Sequence, residues 1–100
     1  MNIELMRDRA GDAAKLMKAL SNPRRLMIMC ELHKGERSVG NLETLIGLRQ
    51  SPLSQHLAKL RSDGWVKTRR DGQTIYYSLA DRRVGQLIAL LYKLYCPPTC

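Results

Sequence analysis

Gly47-Leu48-Arg49-Gln50-Ser51-Pro52-Leu53-Ser54-Gln55-His56-Leu57-Ala58-Lys59-Leu60 is the stretch that decides the fold. Gly47 supplies the left-handed residue at which helices commonly end. Ser51-Pro52 opens the next helix, beginning after Gln50, because proline is tolerated in a first turn and not deeper. Leu53, Leu57 and Leu60 then recur at i, i+4 and i+7, which sets one apolar stripe against a core and turns Ser54, Gln55, Ala58 and Lys59 outward. Upstream, Ser38 can cap a helix in which Val39, Leu42, Leu45 and Ile46 face inward. Two short helices about a tight turn, the second presenting small and amide side chains, form a helix-turn-helix pattern.

Working outward, Gly64 stops the second helix, and residues 65–70 and 73–79 read as strands. Asp71-Gly72 between them is a two-residue hairpin signal, with positive φ expected at both central positions. Ile75, Tyr77 and Leu79 alternate onto one face. On the N-terminal side, Ala13, Leu16, Met17 and Leu20 give a first helix an apolar stripe. Asn22-Pro23 starts a second helix as N-cap and first helical residue. From Leu26 to Leu32 that helix is apolar almost all round and belongs at the centre of the core, and Lys34-Gly35 ends it. Asp81 caps a last helix with Val84, Leu87, Ile88, Leu91 and Tyr95 inward, until Pro97-Pro98 forbids continuation. The expectation is a mainly α single domain over residues 1–100, a winged helix-turn-helix of five helices with a two-stranded β-hairpin. The apolar first and last helices would form a homodimer interface.

Seventeen Lys and Arg against nine Asp and Glu leave a formal charge of +8, which favours an anionic partner. Between Lys59 and Arg83 seven basic residues, Lys59, Arg61, Lys67, Arg69, Arg70, Arg82 and Arg83, stand against three acidic ones, Asp63, Asp71 and Asp81. Charge alone is equally compatible with a solvated basic surface. No apolar run is long enough to span a bilayer and no signal peptide pattern is present, so a cytoplasmic location without membrane association is expected. Three cysteines without a disulfide framework read as reduced thiols.

A helix-turn-helix places the start of its second helix in the major groove of double-stranded DNA. Here that part carries Gln50, Ser51, Ser54, Gln55 and His56. Glutamine can pair bidentately with adenine and serine can reach several base edges, so Ser54 and Gln55 are the candidate base readers, while Lys59 and Arg61 would hold phosphates. His56 flanks the leucine stripe and fits a structural role as well as a DNA contact. Lys67, Arg69, Arg70 and Gln73 are the candidate phosphate or minor-groove contacts of the hairpin, the alternative being a charged edge that blocks strand pairing. A dimer would require an inverted-repeat operator.

These segments resemble the ArsR/SmtB family of bacterial winged-helix repressors over nearly the whole chain. Leu20-Ser21-Asn22-Pro23-Arg24-Arg25-Leu26 is similar to that family's entry into its second helix, Ser51 to Arg61 to its recognition helix, and Arg69-Arg70-Asp71-Gly72-Gln73-Thr74-Ile75-Tyr76-Tyr77 to its wing. The resemblance implies a homodimeric repressor that leaves DNA when an inducer acts. Many members sense metals through a Cys-x-Cys pair entering the third helix, whereas Ser38 and Gly40 stand there in this chain and supply no thiolate. The other common site draws on Asp and His in the last helix, whereas Asp81 to Cys96 contains no His and only one carboxylate, so neither a metal nor any other cofactor is expected.

Cys30 by itself reads as a small core residue beside Met29. The resemblance changes that reading. Cys30 and Cys96, with Tyr95-Cys96 followed by Pro97, look like the sulfide- and persulfide-sensing branch of the family, the BigR and SqrR type. In that branch the paired cysteines close a disulfide or polysulfide bridge in response to reactive sulfur species and DNA is released. Cys100 would be an accessory thiol in a frayed tail. Which cysteine attacks first is open at this level. The alternatives are a metal or general oxidant sensor using the same thiols, to be separated by intact mass, and a nonspecific architectural DNA-binding protein, to be separated by discrimination between operator and random duplex. A thiol oxidoreductase is disfavoured because no Cys-x-x-Cys pair opens a helix, and no enzymatic activity is expected.

Overall fold

Short polar side chains start four of the helices, and the first hydrogen bonds of each follow from them. The computed structural model describes residues 1–96, within which lie five helices and three strands. Helix α1 spans Ile3–Ala19, with Asn2 accepting from the N–H groups of Glu4 and Leu5. Helix α2 spans Pro23–Lys34, and Asn22 Oδ1 accepts from Arg24 N and Arg25 N at 2.9 and 3.2 Å. Ser38 and Asn41 form a reciprocal capping box at the start of α3, Val39–Ile46, which satisfies two backbone donors at once. Gly47 follows at φ 78°, the left-handed turn that lets α4, Gln50–Ser62, leave at an angle. Asp81 caps α5, Arg82–Tyr95. Pro97-Pro98 and Cys100 lie outside the described residues.

The hairpin consists of β2, Val66–Asp71, and β3, Thr74–Leu79, paired antiparallel. Two features differ from the sequence expectation. Arg37–Ser38 forms a short strand, β1, on the other edge of β3, so the sheet has order β1-β3-β2. The turn is also displaced by one residue: Asp71 pairs with Thr74, which leaves Gly72-Gln73 as the loop. Gly72 alone has positive φ, at 62°, so the turn meets the type II′ requirement for glycine at its first central position and does not need a second left-handed residue.

Ile28, Met29, Leu42, Leu53, Leu57, Leu60 and Val84 are fully buried, joined by Leu32, Val66 and Ile88. Helix α2 lies at the middle of this core and packs against α5, α3 and β3. Met27, on its far side, is exposed, so α2 is central on one broad face and not all round.

Other inward expectations are corrected in each outlying element. Ala13 and Met17 are exposed, because α1 meets the core only through Leu16, Ala19 and Leu20 in its last turn. Leu45 is 52% exposed; the inward line of α3 runs through Val39, Leu42 and Ile46, and Leu45 sits about 100° round from Ile46. Tyr95 is 81% exposed, since α5 runs on past the core that receives Val84 and Ile88. On β3, Tyr77 and Leu79 pack against the core while Ile75, near the tip, is exposed. No helix among the described residues is long and apolar enough to cross a membrane.

The two leucine environments predict different costs of truncation. Leu57→Ala should lower unfolding free energy by about 2–5 kcal/mol through lost burial and a cavity. Leu45→Ala should change it by about 0.5 kcal/mol or less. Urea unfolding at one fixed protein concentration distinguishes them, and equal costs would contradict this core.

Candidate nucleic-acid interface and thiol pair

Because Leu53, Leu57 and Leu60 are held at zero exposure on one side of α4, the opposite side is fixed as a surface. Gln50, Ser51, Ser54, Gln55, Lys59 and Arg61 are all exposed on that helix. Arg49 occupies the N-cap position without a side-chain hydrogen bond, so no side chain shields the first-turn N–H groups. The start of α4 thus combines amide, hydroxyl and backbone donors, which suits hydrogen bonding to base edges and phosphate oxygens. Lys59 lies further along and pairs loosely with Asp63 at 3.5 Å.

Unlike the rest of α4's outer surface, His56 is half-buried. Burial, then the positive charges of Arg25 and Arg24, hold its pKa below the usual histidine value. The neutral ring is therefore favoured, able to donate through one nitrogen and accept through the other. The same proximity brings the N-terminal arginines of α2 beside α4. Arg24 is exposed there, whereas in the sequence Asn22-Pro23-Arg24-Arg25 marks only a helix start.

The basic hairpin residues do not act as one cluster. Arg69 donates to both carboxylate oxygens of Glu36, at 3.0 and 2.7 Å, and stacks over Tyr76 with its guanidinium carbon 4.8 Å from the ring centroid. Hydrogen bonding to Arg69 pulls the Glu36 carboxyl below its ordinary pKa and raises that of Arg69. Arg69 therefore braces β2 to the entry of α3. Lys67 lines a separate open cleft with His33, Asp81 and Arg82. Arg70 and Gln73 remain exposed toward the tip. Glu36 gave no local sequence signal, because its partner lies across the sheet.

The two described thiols come from packed helices. Cys30 is half-buried on α2 against the core, and Cys96 is a half-buried C-cap of α5 whose N–H donates to Tyr92 O at 2.8 Å. Burial pushes the Cys30 thiol up; Glu31 and Cys96 push the same way, and Lys34 opposes them. Helices α2 and α5, which carry these two free thiols, pack against each other. Glu31 is itself mostly buried and accepts from Lys34 Nζ at 3.1 Å. Among the described residues no three His, Cys, Asp or Glu side chains gather in a way that could hold a metal ion. Cys100 lies outside the described residues.

Residues 22–68, from the N-cap of α2 into β2, match the family of bacterial regulatory proteins described as the arsR family. The chain is 48% identical over 96 residues to the transcriptional activator HlyU of Vibrio cholerae, an alignment covering 96% of this chain and 89% of HlyU. The chain belongs to the arsR family. Within that family it is 47% identical to the biofilm growth-associated repressor of Xylella fastidiosa over 96% of this chain and 84% of the repressor. The crystal structure of the repressor BigR from Xylella fastidiosa superposes with a TM-score of 0.92 at 46% identity, covering 97% of this chain and 99% of that one. The reduced form of Vibrio cholerae HlyU gives 0.87 at 47% identity, over 94% and 99% of the two chains. The winged helix-turn-helix expected from the sequence is thus the fold of this arsR-family chain and of its solved relatives.

The environment of His56 sets a pH dependence. With its folded pKa below the unfolded value, the folded state holds fewer protons, so stability from this group is present above the unfolded pKa of about 6.5 and is lost as pH falls through it. The thermal midpoint of the wild type should therefore drop more between about pH 7.5 and about pH 5.5 than that of His56→Gln. Identical drops would contradict the neutral assignment.

Proposed function

We propose that this arsR-family regulator is a homodimeric, dithiol-controlled repressor of the bacterial cytoplasm. In the reduced state it occupies an inverted-repeat operator in double-stranded DNA, and it is released when Cys30 and Cys96 are joined. Ser54 and Gln55 read bases, with Gln50, Ser51 and His56 beside them. Lys59, Arg61, Arg70 and Gln73 engage the backbone, Arg69 acts chiefly as the wing's brace, and Lys67 contributes at the wing's base. The protein works by occupancy of DNA and not by turnover. The exposed apolar residues Ile3, Leu5 and Met6 on α1 and Leu90 and Leu94 on α5 supply the dimer face.

The observation that carries this reading is that Cys30 and Cys96 are borne by two helices, α2 and α5, that pack against each other. Similarity to BigR, and to HlyU in a structure described as reduced, adds support. Relatives include an activator as well as repressors, and thiol control of DNA occupancy serves either sign.

The inducer is a sulfane-sulfur donor such as a low-molecular-weight persulfide, RSSH. One cysteine thiolate attacks the terminal sulfur of RSSH and expels the thiol RSH, leaving a protein persulfide. The second thiolate attacks the inner sulfur of that persulfide, forms the Cys30–Cys96 disulfide and releases hydrogen sulfide. Two cysteine thiols and one RSSH thus give one disulfide, one RSH and one hydrogen sulfide. Insertion of further sulfane sulfur extends the bridge and relaxes the short distance that a plain disulfide requires. Because burial and Glu31 disfavour the Cys30 thiolate, Cys96 attacks first and Cys30 resolves.

At fixed salt, persulfide treatment should weaken operator binding about 5- to 150-fold, the usual span of coupling between sites. Cys30→Ser should abolish that response while binding as reduced wild type does, and intact mass should show the bridge. Full release of Cys30→Ser protein from operator would overturn the mechanism. In a Cys96→Ser/Cys100→Ser protein, alkylation of Cys30 should accelerate about tenfold per pH unit from about pH 7 without a plateau below about pH 8.5. A plateau near neutrality would assign the first attack to Cys30.

A further inference from the structure

Behind the C-terminal end of α4 lies a second cleft, of about 480 Å³, formed by three helices and the strand entry. Lys15 and Lys18 of α1, Arg25 of α2 and Lys59 of α4 converge on it, and Trp65 forms part of its wall. Asp63 is the carboxylate there, and it already pairs with Lys59 at 3.5 Å. Arg25 also anchors the end of α1, donating to Ala19 O and Lys18 O at 2.8 and 3.1 Å. Lys15 and Lys18 have no carboxylate partner among the described residues. Three of these cations are lysines, compact point charges that each contribute one positive charge to a shared anion.

We propose that this cleft binds a small, multiply charged phosphate-bearing anion. Four cations against one carboxylate leave a local excess that a single carboxylate ligand would not neutralise, whereas a pyrophosphate group would. The recess is in the usual size range for small-ligand sites, and the wall of Trp65, with Leu60 and Ala19 also lining it, offers an apolar surface beside the charges. Lys59 belongs both to this cleft and to the outward surface of α4, so an anion held here competes with DNA for the same ammonium group. Occupancy of the cleft therefore weakens operator binding, by a route separate from the thiols.

Trp65 is the chain's only tryptophan, so its fluorescence reports the site directly. Reduced wild-type protein is titrated with inorganic pyrophosphate, and in parallel with sodium chloride at matched ionic strength. A saturable change in Trp65 emission with pyrophosphate alone is expected. The Lys15→Ala/Lys18→Ala variant should bind pyrophosphate at least tenfold more weakly and keep its operator affinity within about twofold. A response equal to that of sodium chloride, or unchanged pyrophosphate binding by the variant, would overturn the proposal. Loss of operator affinity in the variant would also overturn it, by assigning these lysines to the DNA backbone. Since the titration uses reduced protein, its outcome is independent of Cys30–Cys96 chemistry.

Discussion

The burial of one face of α2 is the constraint on which the other elements depend. Ile28, Met29 and Leu32 are almost completely withdrawn from solvent, and the helix that carries them packs against α5, α3 and β3. Each contact has a different consequence. Through α3 the helix-turn-helix is held in place, through β3 the wing, and through α5 the segment that ends at Cys96. Residue 30 follows directly on Met29, so a bond made at Cys30 acts on the backbone of the helix that all three neighbours share. Close-packed interiors transmit such strain because they have little free volume to absorb it.

Charge is distributed over the surface with similar economy. On the α4 face Gln50, Ser51, Ser54 and Gln55 are exposed and uncharged and Arg61 has no ion pair among the described residues, while Arg69 is occupied by Glu36 and Tyr76. In the proposed complex this leaves the exposed hairpin tip, with Arg70 and Gln73, to follow the DNA backbone while the base of the wing stays braced. His56 is half-buried at the boundary between the exposed side of α4 and the core. Its neutral ring adds hydrogen-bonding capacity without adding charge.

Much of the fold was legible because local rules decide it. The spacing of Leu53, Leu57 and Leu60 fixed α4, and Asn22, Ser38, Gly47 and Asp81 marked helix ends through caps and a left-handed turn that the structure contains. What could not be read locally depends on partners distant in sequence. The strand Arg37–Ser38 exists only because Tyr76 and Tyr77 pair with it, and the Glu36–Arg69 brace crosses the same sheet. Met17 and Tyr95 satisfy helical periodicity yet lie beyond the core, since periodicity identifies an apolar side and not what covers it. At the turn, an Asp-Gly pair indicated a hairpin correctly, but a single left-handed glycine sufficed and the loop moved by one residue. As for the sites, α4's exposed side followed from its leucine stripe, whereas the thiol pair rested on resemblance and the separate surroundings of Lys67, Arg69 and Arg70 depend on residues distant in sequence.

Amide hydrogen exchange on matched reduced and Cys30–Cys96-bridged protein tests most directly whether α2 couples the thiols to α4, the proposed DNA reader. Coupling requires that exchange rates change in α3, α4 and the wing as well as in α2 and the end of α5. If the changes were confined to the surroundings of Cys30 and Cys96, with α4 exchanging identically in both states, the proposed control of DNA binding through α2 would be contradicted.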